Sequence, residues 1–439
     1  MSGLFKSSIL AVVGNAVQFI VSIPTGIIIA RILGPSGKGQ VFLVMQFASL
    51  GSMLLSLGFG TSYLYYLSKG IFAKSEAVLH ALVMVSVFSA ICIGFYEFAR
   101  PLLRELTSNN LTDGMIMSLL WLVLVNMAIL YFGYILMAQP NGVQLSSLYV
   151  MVGSILYLIS LITFVFLFKL GVWGALLAAG VPLIVRLILI LRPVLSGLHA
   201  PAFFKTLKWT KTLLIFGLSS FAGNLMLASV FRIDTFIINA MVGSIPLGIY
   251  SVAVSLGEMM LLVPSALGNA LFPHLTSQTG ENRLITACLV ARLSVFLGLV
   301  SSFLIAIFGY PLILFMFGKA FSSAYVPMLC LLPGLVAMTT SYGYANYFSS
   351  NGQPLLNTWV FGIGLIVNII LNLFIIPVLG IVGAAIVSSV TYIAVMIIFV
   401  ILILRMHLVD WSALVIPTRA DVMILWGQFN ALRASRRVS

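Results

Sequence analysis

The stretch "ARILGPSGKGQ" (Ala30–Gln40) lies between two long apolar runs and contains three glycines, one proline and one lysine. A Walker-type phosphate loop would need the pattern G-x-x-x-x-G-K-[ST]. Here Ile32 stands where the first glycine is required, and Gly39 follows the lysine in place of a hydroxyl residue. Both flanking runs are long enough to span a bilayer as helices. The stretch therefore predicts a tight turn between two membrane-spanning helices.

A second copy of this turn lies in the C-terminal half of the chain. The segment "NAMVGSIPLGIY" (Asn239–Tyr250) keeps two of the glycines, since Gly34 and Gly39 return as Gly243 and Gly248, 209 residues later (243 minus 34, 248 minus 39). The copy has no lysine, which argues against nucleotide binding. What both copies share is the glycine spacing of a helix-to-helix turn.

Three further motif pairs recur at nearly the same shift. They are "GN" at 14–15 and 223–224, "GYILMAQPNG" at 133–142 with "GYANYFSSNG" at 343–352, and "GVWGA" at 171–175 with "GIVGA" at 380–384. The chain is therefore predicted to consist of two repeats of about six helices each. An even number of spans returns the chain to its starting side, so the repeats have the same orientation. Parallel repeats of this kind are typical of transporters.

The composition agrees with a membrane protein. Of 439 residues, 62% are hydrophobic and only 7% are charged, whereas an ordinary soluble domain has about 25% charged residues. The net charge of +13 comes from Lys and Arg spread along the chain, which indicates a basic face on anionic lipid and not a nucleic-acid partner. The three cysteines lie far apart, without metal-ligand spacing.

About twelve apolar runs are long enough to span the bilayer. They cover residues 7–31, 40–67, 76–97, 113–137, 145–169, 172–193, 210–242, 246–273, 283–309, 322–349, 354–378 and 381–405. The fold class is therefore an all-α polytopic membrane protein. We expect an N-lobe at 1–195, a basic cytoplasmic connection at 196–211, a C-lobe at 212–405 and a basic cytoplasmic tail at 406–439, part of which is a candidate interfacial helix.

Most Lys and Arg residues fall on the side that holds the N-terminus when that terminus is placed in the cytoplasm. The positive-inside rule then puts both termini in the cytoplasm. The densest basic stretch, "FKTLKWTK" (Phe204–Lys211), becomes the central cytoplasmic connection.

Two segments resemble the signatures of a known family. "IIIARILGPSGKGQVFLVMQFASLGSMLLSLGFGTS" (Ile27–Ser62) is similar to the N-terminal signature of bacterial oligosaccharide flippases, the polysaccharide-transport members of the superfamily that includes MATE exporters and the lipid II flippase. "RIDTFIINAMVGSIPLGIYSVAVSLGEMMLLVPSALGNALFP" (Arg232–Pro273) looks like the matching second-half signature. The likeness extends over all twelve spans and leaves the tail from about residue 406 uncovered.

The resemblance implies two lobes in a V shape, a cavity lined largely by the first, second, seventh and eighth spans, and alternating access. The implied substrate is an undecaprenyl-diphosphate-linked oligosaccharide of O-antigen, capsule or exopolysaccharide synthesis, moved to the periplasmic leaflet of the bacterial inner membrane. A polysaccharide polymerase and a chain-length regulator are the implied protein partners, beside membrane lipids.

Four arginines lie in or at the ends of predicted spans, namely Arg31, Arg186, Arg232 and Arg292. Charges inside a membrane are costly and are by default functional candidates. A guanidinium stays charged and binds phosphate through two hydrogen bonds, so we expect these residues to form a path for the diphosphate. The alternative is that they snorkel to headgroups or pair with neighbouring residues.

Two carboxylates, Asp234 and Glu258, are candidates for coupling transport to protons or Na⁺, or else they are ion-pair partners of Arg232. Asn15, Gln18 and Asn224 are candidate polar residues of the cavity. The sequence contains no evident catalytic triad, carboxylate pair or metal cluster, so we expect a transporter with no bound cofactor or metal.

Two other functions are compatible with parts of this sequence. A MATE-like multidrug or cation antiporter would share the fold, but such exporters usually place an acidic residue in the membrane, often in the first span. The first span here has no Asp or Glu. A membrane enzyme such as a polymerase would be expected to carry a long catalytic periplasmic loop, and the longest predicted outer loop, about residues 97–113, is short.

Overall fold

The computed structural model describes residues 2–106, 111–198, 206–261 and 281–406, together with Trp411 and Leu414. The described helices are α1 (Ser2–Ser56), α2 (Phe59–Ser68), α3 (Lys74–Gly94), α4 (Tyr96–Leu106), α5 (Asp113–Met137), α6 (Gly142–Leu161), α7 (Gly171–Leu195), α8 (Thr210–Met241), α9 (Ser244–Glu258), α10 (Glu281–Met316), α11 (Tyr325–Ser350) and α12 (Pro354–Met406). A π-helical turn, Ile162–Leu167, extends α6, and 3₁₀ turns follow α9 (Met259–Leu261) and precede α11 (Lys319–Ala324).

Helices α1 and α12 are each two membrane spans joined by a short kink. In α1 the backbone leaves the helical region at Gly34 (φ 65°), and in α12 it does so at Gly380 (φ 55°). Ten helical segments of the described chain are long and apolar enough to cross a membrane, and the α1 and α12 segments are each counted once among them. Counting these two kinked segments twice gives twelve spans, which confirms the predicted helical membrane fold. Helices satisfy their own backbone hydrogen bonds, as lipid requires.

Backbone conformation supports the sequence repeat. Gly34 and its counterpart Gly243 both have positive φ, at 65° and 96°. Gly171 and its counterpart Gly380 also have positive φ, at 61° and 55°. Glycine adopts this region without the steric cost that a Cβ brings. The motifs that recur in sequence therefore mark the same kind of turn in both repeats, and Ala30–Gln40 is the turn that was predicted.

The contacts divide the chain into two compact units. The first unit contains Met1–Ser251 with Leu314–Phe321, and the second contains Val252–Ile313 with Ser322–Ser439. The lobes expected at 1–195 and 212–405 follow the repeat and not these contacts, and they stay a prediction. Of the expected connection, residues 199–205 lie outside the described part of the chain, as does most of the tail at 406–439.

Aromatic packing forms the core of the first unit where α2, α3 and α5 meet. Phe59, Tyr63 and Tyr131 are almost completely buried and contact one another edge-on or stacked. Buried polar groups here have partners: the Tyr63 hydroxyl lies 2.8 Å from Nδ1 of His80, whose Nε2 lies 2.9 Å from Oγ1 of Thr210 on α8. This network links α2, α3 and the start of α8.

In the second unit, buried amides join the two arms of α12. Asn372 donates to Oδ1 of Asn368 (2.7 Å), and Asn368 donates to Oγ1 of Thr391 (3.2 Å). All three side chains are fully buried. Because membrane helices gain little from apolar contact with each other, such hydrogen bonds contribute to their association.

Candidate functional site

A cavity of about 760 Å³ lies within the first unit. Its walls come from both arms of α1, from α2, α5, α6 and α7, and from the first half of α8. Three of the predicted site residues meet here, namely Arg186, Gln18 and Asn224. They come from α7, α1 and α8, so only the folded chain brings them together.

Arg186 is the one charged side chain among the described residues that line this cavity. Its Nε is buried and has no hydrogen-bond partner in the described part of the chain. A buried donor without a partner is costly, and a charged one more so. Because the described lining contains this cation and no Asp or Glu, the cavity favours an anionic ligand.

Neutral polar side chains make up much of the remaining polar wall. Tyr134, Tyr157 and Asn126 line the cavity, and so do serines of α1 and α6 such as Ser52 and Ser154. Ser52, Ser154 and Asn126 each donate to a carbonyl of their own helix, at 2.9, 2.9 and 2.8 Å. These bonds use the two hydroxyl donors and one N–H of the Asn126 amide, and they leave the side-chain oxygen atoms with acceptor capacity.

Neither tyrosine is among the site residues predicted from the sequence, although the sequence carries a signal for Tyr134. Tyr134 is the second residue of the repeated motif "GYILMAQPNG". This motif indicates the repeat, and its tyrosine also lines the cavity. Tyr157 carries no comparable signal, since aromatic residues make up 12% of the chain and most spans contain several.

Arg31 does not line the cavity and binds the end of another helix. Its Nε donates to the carbonyl of Met316 (2.9 Å), and its Nη2 donates to the carbonyls of Phe315 and, at 3.4 Å, Leu314. These carbonyls belong to the last turn of α10, which carries partial negative charge and lacks helical partners. The guanidinium thus caps α10, and the structure keeps it apart from Arg186.

The other predicted site residues also lie outside the cavity lining. Arg232 is half-buried on α8, in the first unit, and Arg292 is half-buried on α10, in the second unit. Glu258 is the last residue of α9 and is also half-buried. Asn15 lies on α1, but its side chain is outside what the structure describes.

Asp234 is buried on α8 with its carboxylate bonded on both oxygens. The hydroxyl of Tyr250 on α9 donates to Oδ2 (2.5 Å), and the backbone N–H of Thr235 donates to Oδ1 (2.7 Å). Only 2% of Asp234 is exposed. The carboxylate is therefore held by a tyrosine of the neighbouring helix and by the backbone of Thr235.

Comparison with known proteins gives one family match. The family model described as "Polysaccharide biosynthesis protein" matches residues 4–279, more than half of the chain. A comparison with curated proteins gives no significant match.

Solved structures of the MOP superfamily share the fold. The lipid II flippase MurJ in an inward closed conformation aligns with a TM-score of 0.73 at 13% identity, covering 90% of this chain and 87% of that one. A point mutant of the MATE transporter VcmN of Vibrio cholerae aligns at 0.62 with 17% identity over 92% and 97%. A MOP superfamily transporter of Pyrococcus furiosus, described as having a binding pocket of reverse polarity, aligns at 0.67 with 16% identity over 94% and 96%. At these identities the likeness concerns the fold.

Proposed function

The chain belongs to the polysaccharide biosynthesis protein family, and we propose that it is a flippase for undecaprenyl-diphosphate-linked oligosaccharides. It moves the repeat unit of O-antigen, capsule or exopolysaccharide from the cytoplasmic to the periplasmic leaflet of the bacterial inner membrane, by alternating access. Its protein partners are a polysaccharide polymerase and a chain-length regulator.

Arg186 in the cavity of the first unit is the observation that carries this proposal. A diphosphate must cross a low-dielectric region, and a fixed guanidinium lowers the cost of its charge. Arg186 lines the cavity, and no described residue bonds its buried Nε.

The neutral polar side chains of the cavity wall can bind a sugar. Amides and hydroxyls such as those of Gln18, Asn126 and Asn224 can exchange hydrogen bonds with sugar hydroxyls, and Tyr134 and Tyr157 offer aromatic surface. Pockets for small ligands combine apolar walls with a few placed polar groups in this way.

A MATE-like cation antiporter is the alternative, and the cavity argues against it. The lining includes no Asp or Glu among the described residues, so a cationic drug would meet Arg186 without a compensating carboxylate. Like charges brought together in a desolvated site repel each other.

The test is transport by purified protein in proteoliposomes. Undecaprenyl-diphosphate-linked oligosaccharide is placed in the bilayer, and its arrival at the outer leaflet is followed by cleavage with an added glycosidase that cannot cross the membrane. Arg186→Gln should lower substrate affinity at least about tenfold, because a hydrogen bond to a charged group contributes about 1.5–3 kcal/mol. Arg186→Lys keeps the positive charge but loses the planar guanidinium that binds phosphate through two hydrogen bonds. Its substrate affinity should therefore lie between those of the unaltered protein and Arg186→Gln.

The control is Arg192→Gln, which removes an exposed arginine from the last turn of the same helix. It should transport like the unaltered protein. Failure of the unaltered protein to move the oligosaccharide, together with export of a cationic dye such as ethidium, would establish the antiporter instead. Equal transport by Arg186→Gln and Arg192→Gln would remove Arg186 from the substrate path.

A further inference from the structure

The two equivalent turns of the repeats contact each other, and we call this contact, with the end of α10, the turn junction (residues 31–40, 243–248 and 314–318). A Cβ on Gly39 would lie 2.9 Å from the backbone nitrogen of Gly248 and would overlap the carbonyl oxygen of Ser244. The hydroxyls of Ser36 and Ser244 are 3.4 Å apart. The backbones therefore meet directly, with no side chain or lipid between them.

Cations of the first turn hold the end of α10 in this junction. Arg31 caps the last carbonyls of α10, as described above. Nζ of Lys38 lies 5.2 Å from the ring centre of Phe317, the residue after α10, and 3.4 Å from the carbonyl of Gly26. Lys38 is only 7% exposed, whereas Arg31 is exposed. Lys38 is thus a buried part of the junction. Arg31 is exposed, so a ligand that approaches from outside the protein can reach its guanidinium.

We propose that Arg31 is a releasable strap: it keeps the turn junction closed by holding the end of α10, and the junction opens in each transport cycle. This proposal rests on the proposed function, since an alternating-access transporter must open the end at which the substrate leaves. The topology expected from the sequence places the turn junction at the periplasmic end. A phosphate binds a guanidinium by paired, charge-assisted bonds, which are stronger than bonds to neutral carbonyls. A diphosphate that arrives at Arg31 therefore competes with α10 and opens the junction.

The first experiment holds the turn junction closed with a disulfide bond. Ser36→Cys and Ser244→Cys are introduced together into a chain in which Cys92, Cys288 and Cys330 are replaced by alanine, and the pair is oxidised. The disulfide should stop oligosaccharide transport, and a reductant should restore it. Full transport by the oxidised protein would overturn the proposal. If the unaltered protein does not transport the oligosaccharide, the proposed substrate is wrong, and a labelling experiment decides the strap separately.

Cysteine labelling measures the opening of the turn junction independently of transport. In the cysteine-free chain carrying only Ser244→Cys, a membrane-impermeant maleimide reports exposure of a residue that is 8% exposed in the closed junction. Arg31→Gln should raise the labelling rate about fivefold, the factor expected when one charge–dipole contact is lost. Arg31→Lys should raise the labelling rate less. Arg100→Gln should leave the labelling rate unchanged, because Arg100 pairs with Glu97 on α4.

Undecaprenyl diphosphate without a glycan is the ligand probe. It should raise labelling of the chain that keeps Arg31 and add nothing in Arg31→Gln, while inorganic pyrophosphate at the same concentration tests whether the lipid is required. Equal labelling of Arg31→Gln and its parent, both eluting as monodisperse protein, would show that Arg31 is no strap. No response to either diphosphate would show that the strap is not released by phosphate.

Discussion

Gly39 and Gly248 contact each other through their backbones, and they are the same position of the two sequence repeats. A Cβ on Gly248 would lie 3.0 Å from the nitrogen of Gly39, and a Cβ on Gly39 would lie 2.9 Å from the nitrogen of Gly248. Neither glycine can therefore carry a side chain while this contact remains closed.

Alanine at either glycine should destabilise the protein. A Cβ at Gly39 or Gly248 overlaps a carbonyl oxygen of the facing turn, and forced overpacking costs about 1–3 kcal/mol. Gly39→Ala and Gly248→Ala should each lower the apparent melting temperature in detergent. Gly94→Ala is the matched control, because nothing lies within 4 Å of the added Cβ. An unchanged melting temperature in both junction variants would contradict the close contact.

Loss of the Tyr63 hydroxyl should destabilise the first unit. Tyr63→Phe keeps the ring and leaves Nδ1 of the buried His80 without this partner, which costs about 1–3 kcal/mol. Tyr65→Phe removes a hydroxyl that accepts from Lys69 at an exposed position and should change stability by less than about 0.5 kcal/mol. Thermal unfolding of the two variants, side by side, checks this. Equal melting temperatures would mean that the Tyr63–His80 bond contributes nothing.

Thr391→Val should weaken the contact between the two arms of α12. The substitution preserves shape and leaves the buried amide of Asn368 without its acceptor, at a cost of about 0.6–1.7 kcal/mol for such bonds in membranes. Thr163→Val is the control, because the Thr163 hydroxyl donates to the carbonyl of Ile159 one turn earlier and does not join two helices. The check is urea- or heat-induced unfolding in detergent, and a larger loss in the control would contradict the prediction.

Asp234→Asn should abolish any dependence of transport on protons or Na⁺ if this carboxylate couples transport to a gradient. Tyr250→Phe removes the hydroxyl that donates to Oδ2 while keeping the charge, so ion dependence should persist with altered half-maximal concentration. Glu258→Gln tests the second candidate in the same assay. Transport in proteoliposomes with imposed pH or Na⁺ gradients measures the effect. Retention of full ion dependence in both Asp234→Asn and Glu258→Gln would exclude these carboxylates from coupling.

Helices and turns followed from local rules, and the sequence predicted them well. Apolar runs of spanning length must be helical in lipid, and the glycines at 34, 171, 243 and 380 all adopt positive φ at turns. The site was only partly predictable. Arg186, Gln18 and Asn224 were selected one by one, but their meeting in one cavity depends on the packing of α1, α7 and α8.

Arg31 shows why charge and position in the sequence do not fix a role. Its place at the end of a span predicts phosphate binding, which stays a prediction, and the structure adds that its guanidinium binds carbonyls more than 280 residues away in the chain. Tyr134 shows the reverse, since an unselected aromatic residue lines the same cavity as Arg186.

The sequence by itself determined that this protein is a polytopic membrane protein built from two parallel repeats, because spanning length, glycine spacing and motif shift are local or periodic properties. Only the tertiary structure decided which polar side chains share a cavity, which arginine caps a helix, and that Gly39 meets Gly248. Those contacts depend on how helices that are far apart in the chain pack together, and the sequence of a single helix does not specify its neighbours.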